Sequence, residues 1–261
     1  MISVIVLTSP GREENLRYCL RALKQQTFQQ FECLVADDGS SLNAGVLAET
    51  GLASQGRYLW RPNDYCMSRS YNLAVAQARY PQLVLLSADV LLNPHALGYY
   101  AGYFAALPPM LIYGYFGNVR EYISTSSFFP ERQINLQDCR FGFPQGQLRC
   151  HPLLPKEPQK FAWGGNWSVP KAWFDKVGGF NEAFRGWGLE DVDFANRLMA
   201  HLPISFSVDV WGEHQIHPLE VDQTRYDANE ELMGPLHPVR QEPGLLYDPA
   251  RTELKQLRQY P

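Results

Sequence analysis

Phe31-Glu32-Cys33-Leu34-Val35-Ala36-Asp37-Asp38-Gly39-Ser40 is the stretch whose reading decides the fold. Its first six residues are mostly apolar and its last four turn abruptly polar, the pattern of a buried strand that ends in a turn. The same reading extends backwards to Ile2-Ser3-Val4-Ile5-Val6-Leu7, a nearly unbroken apolar run suited to a strand covered on both faces. Between the two, residues 13–26 carry Leu16, Leu20 and Leu23 at helical spacing. Beyond them, residues 57–60 read as a short third strand and residues 68–78 as an alanine-rich helix. Leu83-Val84-Leu85-Leu86 reads as a fourth strand ending in Ser87-Ala88-Asp89. Strands alternating with helices at this spacing imply an α/β fold with a mostly parallel central sheet flanked by helices. Ligands of such sheets sit at the carboxyl ends of the strands, where the polar clusters after strands two and four fall.

Further along, residues 93–107 read as a helix. Residues 108–162, punctuated by proline and glycine, show no sustained period and are expected to form a long irregular excursion that shapes a cleft. Order resumes at Gly164-Gly165-Asn166, followed by a helix over 170–177 that Gly178-Gly179 closes. A second helix is expected over 189–201, with Leu189, Val192, Ala195, Leu198, Met199 and Leu202 on one side, then a strand over 204–210. The polar segment from 218 onward is expected to be a tail or a lid.

A chain of 261 residues amounts to one large domain. A net charge of −4 argues against nucleic-acid binding, because phosphate repulsion would go unopposed over a wide face. Cys19, Cys33, Cys66, Cys139 and Cys150 are odd in number and show no CxxC spacing, which reads as reduced thiols and a cytoplasmic setting. No run approaches a membrane span, and the opening residues read as a strand rather than a signal peptide.

Five constellations could carry chemistry. Asp37-Asp38 at a strand end could accept from a base N–H or a ribose hydroxyl, although Asp-Gly is also a common turn pair. Asp89 offers an oxygen ligand to a hard divalent cation, or a helix cap. Trp187-Gly188-Leu189-Glu190-Asp191-Val192-Asp193 puts three carboxylates within four residues at a helix start. Matching the helix dipole explains one or two of them, but not the aromatic and glycine that lead in. His214-Gln215-Ile216-His217 offers imidazoles beyond a strand. Arg69 near a helix start suits a diphosphate, or an ordinary surface position.

Taken in order, these segments resemble the family-2 glycosyltransferases with the GT-A fold, the Rossmann-like nucleotide-diphospho-sugar transferase architecture. Asp37-Asp38-Gly39-Ser40 looks like the family's uridine-binding segment, and Ser68-Arg69-Ser70-Tyr71-Asn72 is similar to its donor helix. Ser87-Ala88-Asp89 falls where the family carries Asp-x-Asp, with Ser87 in place of the first Asp. Gly164-Gly165-Asn166 looks like its acceptor-side segment. The Glu190-Asp191-Val192-Asp193 motif, with Gly186-Trp187-Gly188 before it, also resembles β-1,4-galactosyltransferases and polypeptide GalNAc-transferases.

The resemblance implies an inverting hexosyltransferase that moves sugar from a UDP-sugar to a hydroxyl of a glycan, lipid-linked or protein acceptor, as in polysaccharide biosynthesis. It implies Asp191 as catalytic base, with Glu190, Trp187, Gly165 and Asn166 on the acceptor and Thr8, Asp37, Asp38, Arg69, Ala88 and Asp89 on the donor. Asp89 with His214 or His217 would hold Mn²⁺ or Mg²⁺. Residues 1–217 would be a single domain, with a nucleotide-binding half over 1–92 and an acceptor-binding, catalytic half over 93–217. Residues 218–261 would be the tail or lid. The expected location is cytoplasmic, peripheral association with the inner membrane face being compatible with it. The loss of the first Asp at Ser87 favours an alternative, a non-catalytic sugar- or nucleotide-binding protein of the same fold, and the intact Glu190-Asp191 pair argues against it.

Overall fold

A computed structural model describes residues 1–119, 123–142, 147–218, 221–239 and 243–248. The first half alternates as expected: β1 (Ile2–Thr8), α1 (Glu13–Lys24), β2 (Phe31–Asp38), α2 (Gly45–Glu49), β3 (Gly56–Arg61), α3 (Met67–Ala76) and β4 (Gln82–Ser87). Then come β5 (Val90–Leu92), α4 (Ala96–Ala106), β6 (Leu111–Phe116), β7 (Ile123–Thr125), β8 (Gln133–Asn135), β9 (Phe141–Gly142), β10 (Arg149–Cys150) and a 3₁₀ turn, Pro158–Phe161. The chain continues through β11 (Asn166–Pro170), α5 (Lys171–Lys176), α6 (Glu190–Met199), β12 (Ile204–Gln215), α7 (Gln223–Leu232) and β13 (Gly244–Leu246).

The central sheet runs β3-β2-β1-β4-β11-β6-β12-β8-β7, with β5 and β13 also on β12. Its longest ladders are parallel: β1 with β2 and β4, β2 with β3, and β6 with β12. β11 enters antiparallel between β4 and β6. Opposite faces of the sheet feed two cores. On one, Leu16, Leu20 and Leu23 of α1 and Leu97 and Tyr100 of α4 pack with Ile2, Val4 and Val6. On the other, Tyr71 and Ala74 of α3, Phe174 of α5 and Phe194 and Leu198 of α6 pack with Ile5, Leu34 and Leu85. Each fully buried leucine of α1 is worth about 1.5–3 kcal/mol of transfer free energy, so its three-residue stripe fixes which face the helix turns inward.

Register sets where the site lies. Thr8 pairs with Asp37 and Leu7 with Ser87, which aligns the carboxyl ends of β1, β2 and β4. Asn166 pairs with Leu86, and the Ser87 N–H donates to the Gly165 carbonyl at 2.9 Å, so Gly164-Gly165 sits beside the end of β4. His214 pairs with Val90, which carries the end of β12 to the residue after Asp89.

The structure corrects the expected irregular excursion over 108–162: it contains β6, an interior strand of the sheet. Leu-Ile-Tyr-Gly-Tyr-Phe is buried on both faces, so it has no alternation to read, and Gly114 interrupts its β-branched and aromatic character. The glycine is required there, because a Cβ would lie 2.1 Å from the Asn166 amide nitrogen on β11. The strand expected over 204–210 runs on to Gln215. Part of the expected tail is ordered as α7 and β13, and residues 249–261 lie outside the described residues. Among the described residues, no helix is long and apolar enough to cross a membrane.

Candidate active site

A cavity of about 1010 Å³ opens along the carboxyl edge of the sheet, and two clusters of ionisable side chains line it. The first is Asp89, His214 and His217, whose ligand atoms all lie within 4.8 Å of one another. The Asp89 carboxylate is 3.1 Å from Nε2 of His217 and 3.7 Å from Nε2 of His214, and the two Nε2 atoms are 3.2 Å apart. Nδ1 of His214 contacts the Gly117 carbonyl at 2.6 Å, and Nδ1 of His217 contacts the Pro218 carbonyl at 2.8 Å. A carbonyl oxygen only accepts, so both Nδ1 atoms carry the proton and both Nε2 lone pairs face Asp89. Two converging lone pairs and a carboxylate repel one another unless a cation lies among them. A proton relieves one pair of groups; a divalent ion satisfies all three. Burial opposes the charge on Asp89, but positive charge on the two imidazoles, which arises when a proton is shared at their Nε2 atoms, outweighs burial and holds the carboxyl well below the ordinary carboxylate range, so the site favours a cation.

Two neighbours that motif reading missed complete this end. Gln215 is buried between the histidines, and its Nε2 donates to the carbonyls of Asn15 (3.0 Å) and Ala88 (3.3 Å). Its backbone N–H donates to the Asp89 carbonyl at 2.8 Å, so it pins the Asp89 turn to the histidine strand. Nε of Arg12 lies 3.7 Å from Asp89, and its Nη2 donates to the Pro218 carbonyl at 2.9 Å. Its place in Ser9-Pro10-Gly11-Arg12 gives no motif, and only the fold brings it to the cavity. Thr8 and Ser87 also line this end, and the Thr8 hydroxyl is buried without a partner.

The second cluster is Glu190 and Asp191 at the start of α6. Oδ2 of Asp191 accepts from the Gly164 N–H at 2.6 Å, and Oδ1 from the Val192 N–H at 2.7 Å. The helix N-terminus adds to those bonds in favouring the anion. Burial raises both acids, and Glu190 is raised further by the Asp191 charge, with its Oε2 left unbonded. The environments therefore split the pair: Asp191 keeps the charge and Glu190 keeps the proton. The backbone that presents them is strained, since Leu189 has φ 75°, a left-handed conformation that costs on the order of 1–2 kcal/mol outside glycine. Asp193, the third acid of the motif, instead pairs with Arg197 at 2.8 Å, and Arg197 donates to the Val177 and Gly179 carbonyls. It anchors α6 to the preceding turn.

The other expected site residues divide. Trp187 lines the cavity half-exposed and stacks on Tyr226 of α7, and Gly165 lines it beside Phe116. Asn166 is not brought to the cavity wall: its amide donates to the Tyr115 and Val210 carbonyls and accepts from Tyr100, a staple between strands. Asp37 accepts from Ser40 and Tyr58, and Asp38 from Arg61 and Ser70, beneath the wall rather than in it. Arg69 pairs with Asp64 and Glu182. Ala88 is buried, with its carbonyl on Gln215.

Comparison with known proteins gives a consistent result. A family profile described as Glycosyl transferase family 2 matches residues 3–177, and one described as N-terminal domain of galactosyltransferase matches residues 147–208. The chain is 25% identical over 255 residues to a hyaluronan synthase of Pasteurella multocida, covering 87% of this chain and 26% of that protein. It is 28% identical over 238 residues to a validoxylamine A glucosyltransferase of Streptomyces hygroscopicus subsp. limoneus, covering 83% and 52%. The chain thus spans from about a quarter to about half the length of these two curated relatives. A fragment of S. aureus TarS solved in complex with UDP superposes with a TM-score of 0.62 at 17% identity, over 88% of this chain and 63% of that one, a likeness of fold.

Proposed function

The chain belongs to glycosyl transferase family 2, and on that footing we propose that it moves a sugar from a UDP-sugar to a hydroxyl of a glycan-type acceptor with inversion at the anomeric carbon. The observation that carries the reading is one cavity holding both a cation-binding triad and a poised carboxylate. The relatives' names and the TarS–UDP complex support a glycosidic product and a uridine donor.

Asp89, His214 and His217 fit a divalent ion, because their Nε2 lone pairs and carboxylate already converge. A carboxylate with two imidazoles suits Mn²⁺, and Mg²⁺ less well. When bound, the ion offsets the negative charge that grows on the departing diphosphate. Arg12 adds a fixed positive charge at the same end, and Thr8 presents an unbonded hydroxyl there. Asp37, Asp38 and Arg69 do not line the cavity and are engaged with other side chains, Asp37 with Ser40, Asp38 with Ser70 and Arg69 with Glu182.

At the other end, Asp191 takes the proton of the acceptor hydroxyl as that oxygen attacks the anomeric carbon. The bond from the anomeric carbon to the diphosphate oxygen breaks with its electron pair on UDP. One displacement, with the nucleophile opposite the leaving group, inverts the configuration. Glu190, holding its proton, donates a hydrogen bond to the acceptor sugar. Calorimetric titration of UDP with and without Mn²⁺ tests the donor half: Mn²⁺ tightens UDP binding in the wild type and not in Asp89→Ala. Absence of UDP binding in the wild type would sink the reading.

A further inference from the structure

The segment after β12 falls outside both matched family regions, yet it forms one wall of the cavity that holds Asp191. Tyr226 and Glu230 of α7, then Met233 and Leu236, line it. Three amide latches build this wall in. Asn229, 1% exposed, donates to the Arg185 and Gly188 carbonyls at 3.0 Å each and accepts from the Arg185 N–H at 3.1 Å. Asn196 of α6 donates to the Pro235 carbonyl at 3.1 Å and accepts from the His237 N–H at 2.7 Å. Gln159 donates to the His237 carbonyl at 3.3 Å. The wall is thereby tied to the loop that carries Trp187 and to the helix that carries Asp191.

Its chemistry is specific. The Tyr226 ring stacks on Trp187 at 5.9 Å with a 25° interplanar angle, leaving Trp187 49% exposed. A Cβ on Gly188 would sit 2.9 Å from the Tyr226 ring, so the ring packs against bare backbone. The exposed indole is a platform for an apolar face, such as the C–H face of a sugar ring. Three carboxyl groups, Glu190, Asp191 and Glu230, line the same cavity. Among the described residues lining this end, the cation is Lys160, already paired with Glu157 at 2.8 Å. Arg12 and the histidines are gathered at Asp89 instead.

Resting on the transferase reading above, we propose that residues 226–236 select the acceptor, and that they select an uncharged sugar over an anionic one. Tyr226 sets the platform, and Glu230, with the charge on Asp191, repels a carboxylate on the ring.

Equilibrium binding of matched aryl glycosides and aryl uronides to the UDP- and Mn²⁺-loaded protein tests this, read by ligand-observed NMR and tryptophan fluorescence. In the wild type the uncharged glycoside binds several-fold tighter, by up to about fivefold for an exposed charge contact of about 1 kcal/mol. Glu230→Lys, an exposed helix position, closes that gap. Tyr226→Ala weakens the glycoside about tenfold while UDP affinity stays unchanged. A uronide bound as tightly as its uncharged partner, a Glu230→Lys protein with an unchanged preference, or no glycoside binding at all overturns the proposal. Failure of the wild type to bind UDP would instead strike the transferase reading beneath it.

Discussion

Asp191→Asn is the perturbation whose consequences are most closely determined by the structure. The carboxylate accepts from two backbone N–H groups, those of Gly164 at 2.6 Å and Val192 at 2.7 Å. An amide keeps one acceptor and turns a donor toward the other N–H, so one bond is lost and two donors are left facing each other. That costs about 1–3 kcal/mol of stability, which leaves a folded protein if the total is the usual ~5–15 kcal/mol. The chemical loss is larger. Removing a positioned general base lowers the rate about 10²- to 10⁴-fold, or about 2.7–5.4 kcal/mol at 1.36 kcal/mol per decade. The substitution also deletes the charge that raises Glu190, so Glu190 ionises more readily in the variant. The assay is release of UDP from a panel of UDP-sugars, with UDP affinity measured on the same protein. The variant should bind UDP like the wild type and turn over at least about a hundredfold more slowly. Turnover near the wild-type rate would refute the assignment of Asp191 as base.

Two further outcomes bear on the same architecture. Glu190 has a folded-state pKa above its unfolded value, so the stability it contributes is fully present below about pH 4.3 and is lost as pH rises through the raised value. Glu190→Gln removes that dependence, and its melting temperature should gain on the wild type from pH 4 upward; a constant gap across pH would refute the shift. Asp138 and Arg140 form an ion pair at 2.6 Å with neither side chain exposed, beneath Phe116 and Trp163 of the cavity wall. Asp138→Ala strands the guanidinium and should cost about 3–5 kcal/mol in denaturant unfolding, against less than about 1 kcal/mol for an unimportant pair.

The alternating half of the chain was legible because β1 and β2 are buried throughout, β4 is buried over Leu83–Leu86, and α1 carries a clean leucine stripe. β6 and β11 escaped reading for opposite reasons. One is apolar on both faces and broken by Gly114; the other buries two polar residues, Ser168 and Asn166, and the partners of Asn166 lie on β6, β12 and α4. Within the site, Asp89, Glu190, Asp191 and both histidines were named from their motifs, and the structure brings all of them to one cavity. Arg12, Lys160, Tyr226 and Glu230 were not, because each is brought there by tertiary packing that no local spacing announces. Asn166, expected on the acceptor from the likeness of Gly164-Gly165-Asn166 to the family's acceptor-side segment, stands one step past the glycines of the cavity edge and faces the sheet.

The most direct test of the central claim is the configuration of the first sugar released when the Mn²⁺-loaded protein slowly hydrolyses α-linked UDP-sugars without acceptor, followed by proton NMR faster than mutarotation. Water then stands in for the acceptor hydroxyl, so no knowledge of the acceptor is needed. The account predicts the β anomer first, with Asp191→Asn abolishing its appearance. The α anomer first would contradict the single displacement, and no release from any UDP-sugar would contradict the donor assignment itself.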